Sequence, residues 1–238
     1  MKRTIALIFI LSLLLTLFSG CNTKSNNNTE ETSTSADAST SENQNKQESP
    51  AEDFYYTEKE DGTLTVGYVG NESDVVIPSE IDEKVVTEII YTGFYYKRDI
   101  IHSVTLPETM EIIGVQAFKD CTSLAEINLP DSLTSIGTEA FVGCTSLKQI
   151  TVSPNCTYGD AAFASSGIET IIFKEGIETI SNAFIATKVK EVVLPSSVRV
   201  IESFAFDRCY DLEKITLNEG LVTVNYRAFA ETKIKEIT

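Results

Sequence analysis

The chain has 238 residues, with 35 Asp and Glu against 19 Lys and Arg, for a formal net charge of −16. That acidity excludes a DNA- or RNA-backbone binder, which needs a cationic face to displace condensed counterions, so no nucleic-acid partner is expected. A hydrophobic share of 42% and a charged share of 23% can support a buried core.

At the N-terminus Lys2 and Arg3 precede an apolar run from Ile5 to Phe18, broken only by Ser12 and Thr16. The run is short for a membrane-spanning helix, which needs ~20 apolar residues. A basic start, a short apolar stretch and small residues at its end are the layout of an export signal, here residues 1–20. The string that closes it, Phe18-Ser19-Gly20-Cys21, resembles the lipobox of bacterial lipoprotein precursors, with Phe18 where that family usually has Leu. The resemblance implies that Cys21 is diacylated and becomes the mature N-terminus, tying the protein to the membrane. Two acyl chains give a durable anchor where one gives only a marginal one. An extracytoplasmic, lipid-anchored location at the cell surface is therefore expected.

From Asn22 to Asp53 the chain contains no Val, Ile, Leu, Met or aromatic residue. Such a tract cannot bury enough apolar surface to offset chain entropy. Residues 21–53 read as the lipidated Cys followed by a disordered tether. As a flexible coil this tether spans about 30 Å. Residues 54–74 read as an N-terminal β cap, because Asp61-Gly62 is a hairpin dipeptide flanked by Tyr55, Tyr56, Leu64, Val66 and Tyr68.

Residues 75–238 repeat. Phe94, Phe118, Phe141, Phe163, Phe184, Phe206 and Phe229 are separated by 24, 23, 22, 21, 22 and 23 residues, and all but Phe94 follow an Ala. In each unit a short apolar alternation, such as Val104/Leu106, Ile127/Leu129 or Ile150/Val152, reads as a half-buried strand. Pro107, Pro130 and Pro195 end three of these strands, since proline cannot donate to a ladder. Equal strands at fixed spacing stack into a parallel sheet with about 4.8 Å between rungs. One unit cannot cover its own apolar face, so the head is a solenoid.

The string Leu-Pro-x-x-Leu-x-x-Ile-Gly-x-x-Ala-Phe-x-x-Cys-x-x-Leu, running from Leu129 to Leu147, is similar to the BspA-type bacterial leucine-rich repeat. The resemblance implies a mainly β leucine-rich-repeat solenoid with one curved parallel sheet and irregular or short helical turns on the convex side. It also implies adhesion or protein binding at a bacterial surface. The units at Phe163, Phe184 and Phe229 depart from the pattern, since each lacks the Cys and is one residue short before Ile168, Val189 or Ile234. The chain stops at Lys235–Thr238 within a strand, so the last repeat reads as incomplete.

Few residues offer chemistry. Cys121, Cys144 and Cys209 share one repeat position and Cys156 aligns with Leu133; all four read as small buried thiols. Cys121 and Cys144 lie near enough for a disulfide, although Thr187 beside Cys209 makes pairing unnecessary. The Phe column reads as packing and the lone His102 as a surface residue. No paired acids, phosphate loop, nucleophile elbow or metal-ligand set appears, so no catalytic residue, no metal, no cofactor and no enzymatic activity are expected.

The strand face remains. Its exposed lead-in column runs Lys148, Glu169, Lys190, Glu213, Lys235, an alternation that reads as structural cross-strand pairing. The column between the inward residues runs Thr105, Asn128, Thr151, Ile172, Val193, Thr216. Ile172 and Val193 are apolar where the pattern expects polar residues. They form a candidate partner-binding centre rimmed by Thr151, Thr170, Glu191 and Thr216, against the alternative of two β-formers simply sitting in a sheet. The functional expectation is a lipid-anchored, monomeric surface head that binds an unknown protein or glycan, with adhesion as its role. The alternative is a structural or assembly scaffold carrying another domain missing from a truncated chain.

Overall fold

The computed structural model describes residues 47–238. The signal segment, Cys21 and most of the tether lie outside the described residues. Each turn of the head contributes two short strands, stacked on their equivalents in neighbouring turns.

The first strand of each turn carries the alternation read from the sequence. Asp74–Val76, Ser103–Thr105 and Glu126–Ile127 form one parallel ladder, Gln149–Val152 and Thr170–Phe173 a second, and Glu191–Val193, Lys214–Thr216 and Glu236–Ile237 a third. Register follows the repeat: Val104 faces Ile127, Ile150 faces Ile171, and Val192 faces Ile215.

The second strand is centred on the residue before the repeat glycine, and its ladder was not read from the sequence. Leu64–Tyr68, Lys84–Ile89, Ile112–Ile113, Ser135–Ile136 and Thr157–Tyr158 pair in parallel, and Thr179–Ile180, Val200–Ile201 and Thr223–Val224 form a separate ladder. Most of these strands are two residues long, too short to show the alternation over 4–8 residues that identifies a strand in sequence. Helical structure among the described residues is confined to the 3-10 turns Ala51–Asp53, Tyr95–Lys97 and Asn182–Phe184.

The seven phenylalanines stack through the centre, with adjacent ring centroids 4.6–5.9 Å apart. Tyr68 adds an eighth ring, 5.5 Å from Phe94, and Phe54 tops it at 5.5 Å in a tilted contact. Backbone bonds join the corners at the rings; Phe118 N–H donates to Ala140 O at 2.8 Å and Phe163 N–H to Ala183 O at 2.8 Å. Left-handed residues make the corner turn on both sides of the ring. Gln116, Glu139, Ala161, Phe204 and Arg227 lie two residues before it, and Asp120, Gly143, Ser165, Ala186, Arg208 and Glu231 two after, with φ from 55° to 75°.

The cap is a hairpin of Phe54–Glu58 against Leu64–Tyr68. Asp61 Oδ1 accepts from the Thr63 amide at 2.9 Å and its hydroxyl at 2.6 Å, and Gly62 adopts φ 84°. The last residues of the segment read as tether are hydrogen-bonded to the first turn. Ser49 N–H donates to Val76 O at 2.9 Å, Val76 N–H to Ser49 Oγ at 3.0 Å, and Ser79 N–H to Glu48 Oε1 at 3.2 Å. These polar residues satisfy the backbone at the edge of strand Asp74–Val76, so local hydrogen bonding supplies the order that hydrophobicity does not. Hairpin and tether end together blunt the first turn's two strand edges.

Candidate functional site

The strand face brings the sequence-predicted residues into neighbouring positions, but not into one sheet. Thr151 stands opposite Ile172, Gln149 opposite Thr170, Glu191 opposite Lys214, and Val193 opposite Thr216. Ile172 is 44% exposed and Val193 55%. Thr151 and Thr216 are half-buried, whereas Thr170 and Glu191 are exposed. No ladder joins Thr170–Phe173 to Glu191–Val193, so the two apolar residues stand on either side of an opening in the sheet.

Around them the charges are neutralised internally. Glu169 lies 3.4 Å from Lys148 and 3.1 Å from Lys190, and Glu213 lies 3.0 Å from Lys235. Hydrogen bonds from Lys190 and Lys148 hold the Glu169 carboxyl below its ordinary value. Two further columns repeat the device. Lys214 sits between Glu191 at 3.3 Å and Glu236 at 3.5 Å, and Asp211 between Lys188 at 4.0 Å and Lys233 at 3.9 Å. Sequence reasoning missed these columns, although both recur at the same repeat spacing as Lys148 and its equivalents.

The other candidates are packing groups. Cys121, Cys144, Cys156 and Cys209 are free and buried. The Cys144 thiol donates to Phe118 O at 3.2 Å and the Cys209 thiol to Phe184 O at 3.3 Å, one turn back in each case. Ser166, Thr187 and Thr232 occupy the same corner position, and Thr187 Oγ1 lies 3.2 Å from Cys209 Sγ. Desolvation pushes the Cys121 thiol up to about 12 and the Cys156 thiol up to about 11, which keeps both protonated. His102 is exposed. Among the described residues no group of three or more His, Cys, Asp or Glu converges on a metal position.

One cleft follows from the chain's own geometry. Where the second ladder opens between Thr157–Tyr158 and Thr179–Ile180, a cavity of about 330 Å³ is lined by Cys156, Tyr158, Phe173, Ile177, Ile180 and Ser181 among others. The Tyr158 hydroxyl is occupied by the Ser153 amide at 2.8 Å. The cleft mixes the Phe173, Ile177 and Ile180 side chains with the polar Ser153, Glu178, Thr179 and Ser181, and burial raises both the Cys156 thiol and the Tyr158 phenol above their ordinary values.

The repeat pattern, the stacked turns and the ring spine coincide with a known family. The BspA type Leucine rich repeat region matches residues 87–185 and 181–238, in six copies. The chain belongs to this family. The crystal structure of a leucine-rich repeat protein from T. pallidum is 31% identical, with a TM-score of 0.58 over 80% of this chain and 81% of that one. A leucine-rich repeat protein from Bacteroides ovatus is 26% identical, with a TM-score of 0.55 over 77% of this chain and 56% of its own. A leucine rich cell surface protein from Faecalibacterium prausnitzii shares the fold at 20% identity and a TM-score of 0.52, with 79% of this chain and 55% of that one covered. No curated protein matches this BspA-type chain.

Proposed function

We propose that this BspA-type chain is a lipid-anchored, extracytoplasmic binding module whose strand face recognises a protein or glycan partner, with adhesion as its role. The repeat family and fold are typically those of binding modules, which fits a head without an evident catalytic set. The reading rests on one observation: Ile172 and Val193 protrude from a face whose neighbouring charges are already paired with one another. A partner docking there need not strip a lone charge of water, while the apolar pair supplies the favourable burial. The N-terminal signal and Cys21 supply the proposed anchor.

Ile172→Asp combined with Val193→Asp is expected to weaken capture of a partner from host extract or neighbouring cells while leaving the thermal transition in place. Unchanged capture removes the strand face from the proposal. Metabolic labelling with a fatty-acid analogue is expected to mark the native chain and miss Cys21→Ala; equal labelling of both overturns the anchor.

A further inference from the structure

The corner that follows Phe94 is built unlike the others. Later turns place a left-handed residue two positions after the ring, in Asp120, Gly143, Ser165, Ala186, Arg208 and Glu231. After Phe94 the chain forms the 3-10 turn Tyr95–Lys97 instead, raising consecutive aromatic and cationic side chains. Tyr96 is 85% exposed, the highest of the large hydrophobic side chains that reach solvent. Its ring meets Tyr95 edge-on with centroids 5.4 Å apart, and the Arg98 guanidinium carbon lies 4.6 Å from the Tyr95 ring centre. Tyr55 of the cap extends this surface. Its ring lies against Gly67, where a Cβ would fall 2.2 Å from Tyr55 Cζ, and partial burial together with the nearby Tyr96 holds its hydroxyl above the ordinary value.

The cations here are the unusual part. Every other lysine among the described residues has a carboxylate within 4.0 Å. Lys97 has none, and its Nζ donates to the neutral Asn71 Oδ1 at 3.1 Å. Arg98 meets only its sequence neighbour Asp99, at 3.9 Å through Nε, and Nη1 makes a long 3.5 Å bond to Tyr95 O. Among the described residues Arg199 also lacks a carboxylate but spends its Nη1 on the Ser196 and Val198 carbonyls, so in this acidic chain the corner is where an anion finds an ammonium and a guanidinium in adjacent positions.

We propose that Tyr55, Tyr95, Tyr96, Lys97 and Arg98 form a binding surface for a carboxylated polysaccharide. The C–H face of a pyranose ring stacks on an exposed aromatic ring, which the Tyr96 and Tyr55 faces offer. A uronate carboxylate then accepts from Lys97 and the Arg98 fork, the pairing for which guanidinium geometry is best suited. The site is independent of Ile172 and Val193, so either assignment can fail alone.

The test uses the full-length chain and soluble polygalacturonate oligomers, with binding followed by affinity electrophoresis and calorimetry. Tyr96→Ala and the double change Lys97→Gln, Arg98→Gln are each expected to weaken binding at least tenfold with an unchanged circular-dichroism melt. Tyr96→Phe, which keeps the ring, and Lys148→Gln are expected to bind as the native chain does. Absence of binding by the native chain, binding that survives both sets of changes, or equal retention by neutral dextran overturns the proposal. Tighter binding to poly-glutamate than to polygalacturonate also overturns it, in favour of an acidic peptide.

Discussion

The second ladder runs unbroken through Tyr158 and begins again at Thr179, and the two stretches differ in the residue that follows each inward side chain. In the three turns before the opening this position is Gly114, Gly137 and Gly159, where a Cβ would come within 2.5, 2.6 and 2.4 Å of the preceding turn's backbone, while the earlier Lys84–Ile89 strand carries Ile90 there. Beyond it the position holds Ser181, Glu202 and Asn225. The ladder bonds are nevertheless alike: Gly137 N–H reaches Ile113 O at 2.8 Å, and Glu202 N–H reaches Ile180 O at 2.9 Å. The ring spine records the difference. Phenylalanine centroids are 4.6, 5.1 and 5.2 Å apart from Phe94 to Phe163, and 5.6, 5.9 and 5.4 Å apart from there to Phe229. Matching hydrogen bonds therefore do not by themselves set how closely turns pass; the bulk allowed beside the backbone does. The ladder opens where the glycine column ends.

The largest expected effect comes from the ring nearest this junction. Phe118 lies in a turn joined to both neighbours through both ladders. Phe163 lies in a turn that lacks the first ladder on one side and the second on the other. Truncating either ring is expected to cost about 3–5 kcal/mol. Phe163→Ala should in addition accelerate amide exchange in the turns on both sides and split urea unfolding into two steps, because a stack of turns unfolds cooperatively only while its interfaces hold. A single sharp transition for Phe163→Ala would show that the openings do not weaken coupling.

Next in size is the steric contrast. Gly137→Ala forces a Cβ onto the Val115 amide and is expected to cost about 1–3 kcal/mol by overpacking, whereas Glu202→Ala should stay within about 0.5 kcal/mol, as exposed changes do. Equal destabilisation in urea titrations would break the comparison. Ala161→Gly should move the other way. Its φ of 55° costs an L-residue about 1–2 kcal/mol while glycine loses about 0.5–1 kcal/mol of extra chain entropy, so a gain of up to about 1 kcal/mol is expected.

The smallest effect is electrostatic. The Glu169 carboxyl is held below the ordinary value of 4.5 by Lys190 and Lys148. A depressed folded-state value stabilises the ionised form above the unfolded-state value, and that contribution disappears as pH falls through the folded one. The melting temperature of the native chain should exceed that of Glu169→Gln at neutral pH in low salt. The gap should close on acidification below 4.5 and on adding salt, since exposed pairs are screened. A gap independent of both would assign the effect to something other than charge.

Much of this architecture was legible because each unit repeats the same buried positions. The alternation at Ile150/Val152 and Ile171/Phe173 is enough to place Thr151 opposite Ile172, and the repeat length places Val193 opposite Thr216. What stayed hidden was whatever depends on contact between turns. The two-residue strands of the second ladder carry no period of their own. Tyr68 escaped the spine because it precedes Phe94 by 26 residues, outside the repeat interval, and follows Gly67 instead of Ala. The opening between Ile172 and Val193 was equally invisible, since both strands keep their apolar pattern and only their mutual pairing is lost.

The thiol column has a chemical consequence. Cys121 and Cys144 occupy the same place in successive turns, yet each sulfur is enclosed and Cys144 is tied to a carbonyl one turn back. Desolvation leaves all four thiols without the anionic form that attacks a peroxide or a disulfide. The folded head therefore slows thiolate chemistry at these four positions by burying them. Alkylation of these sulfurs would report a turn that has come apart.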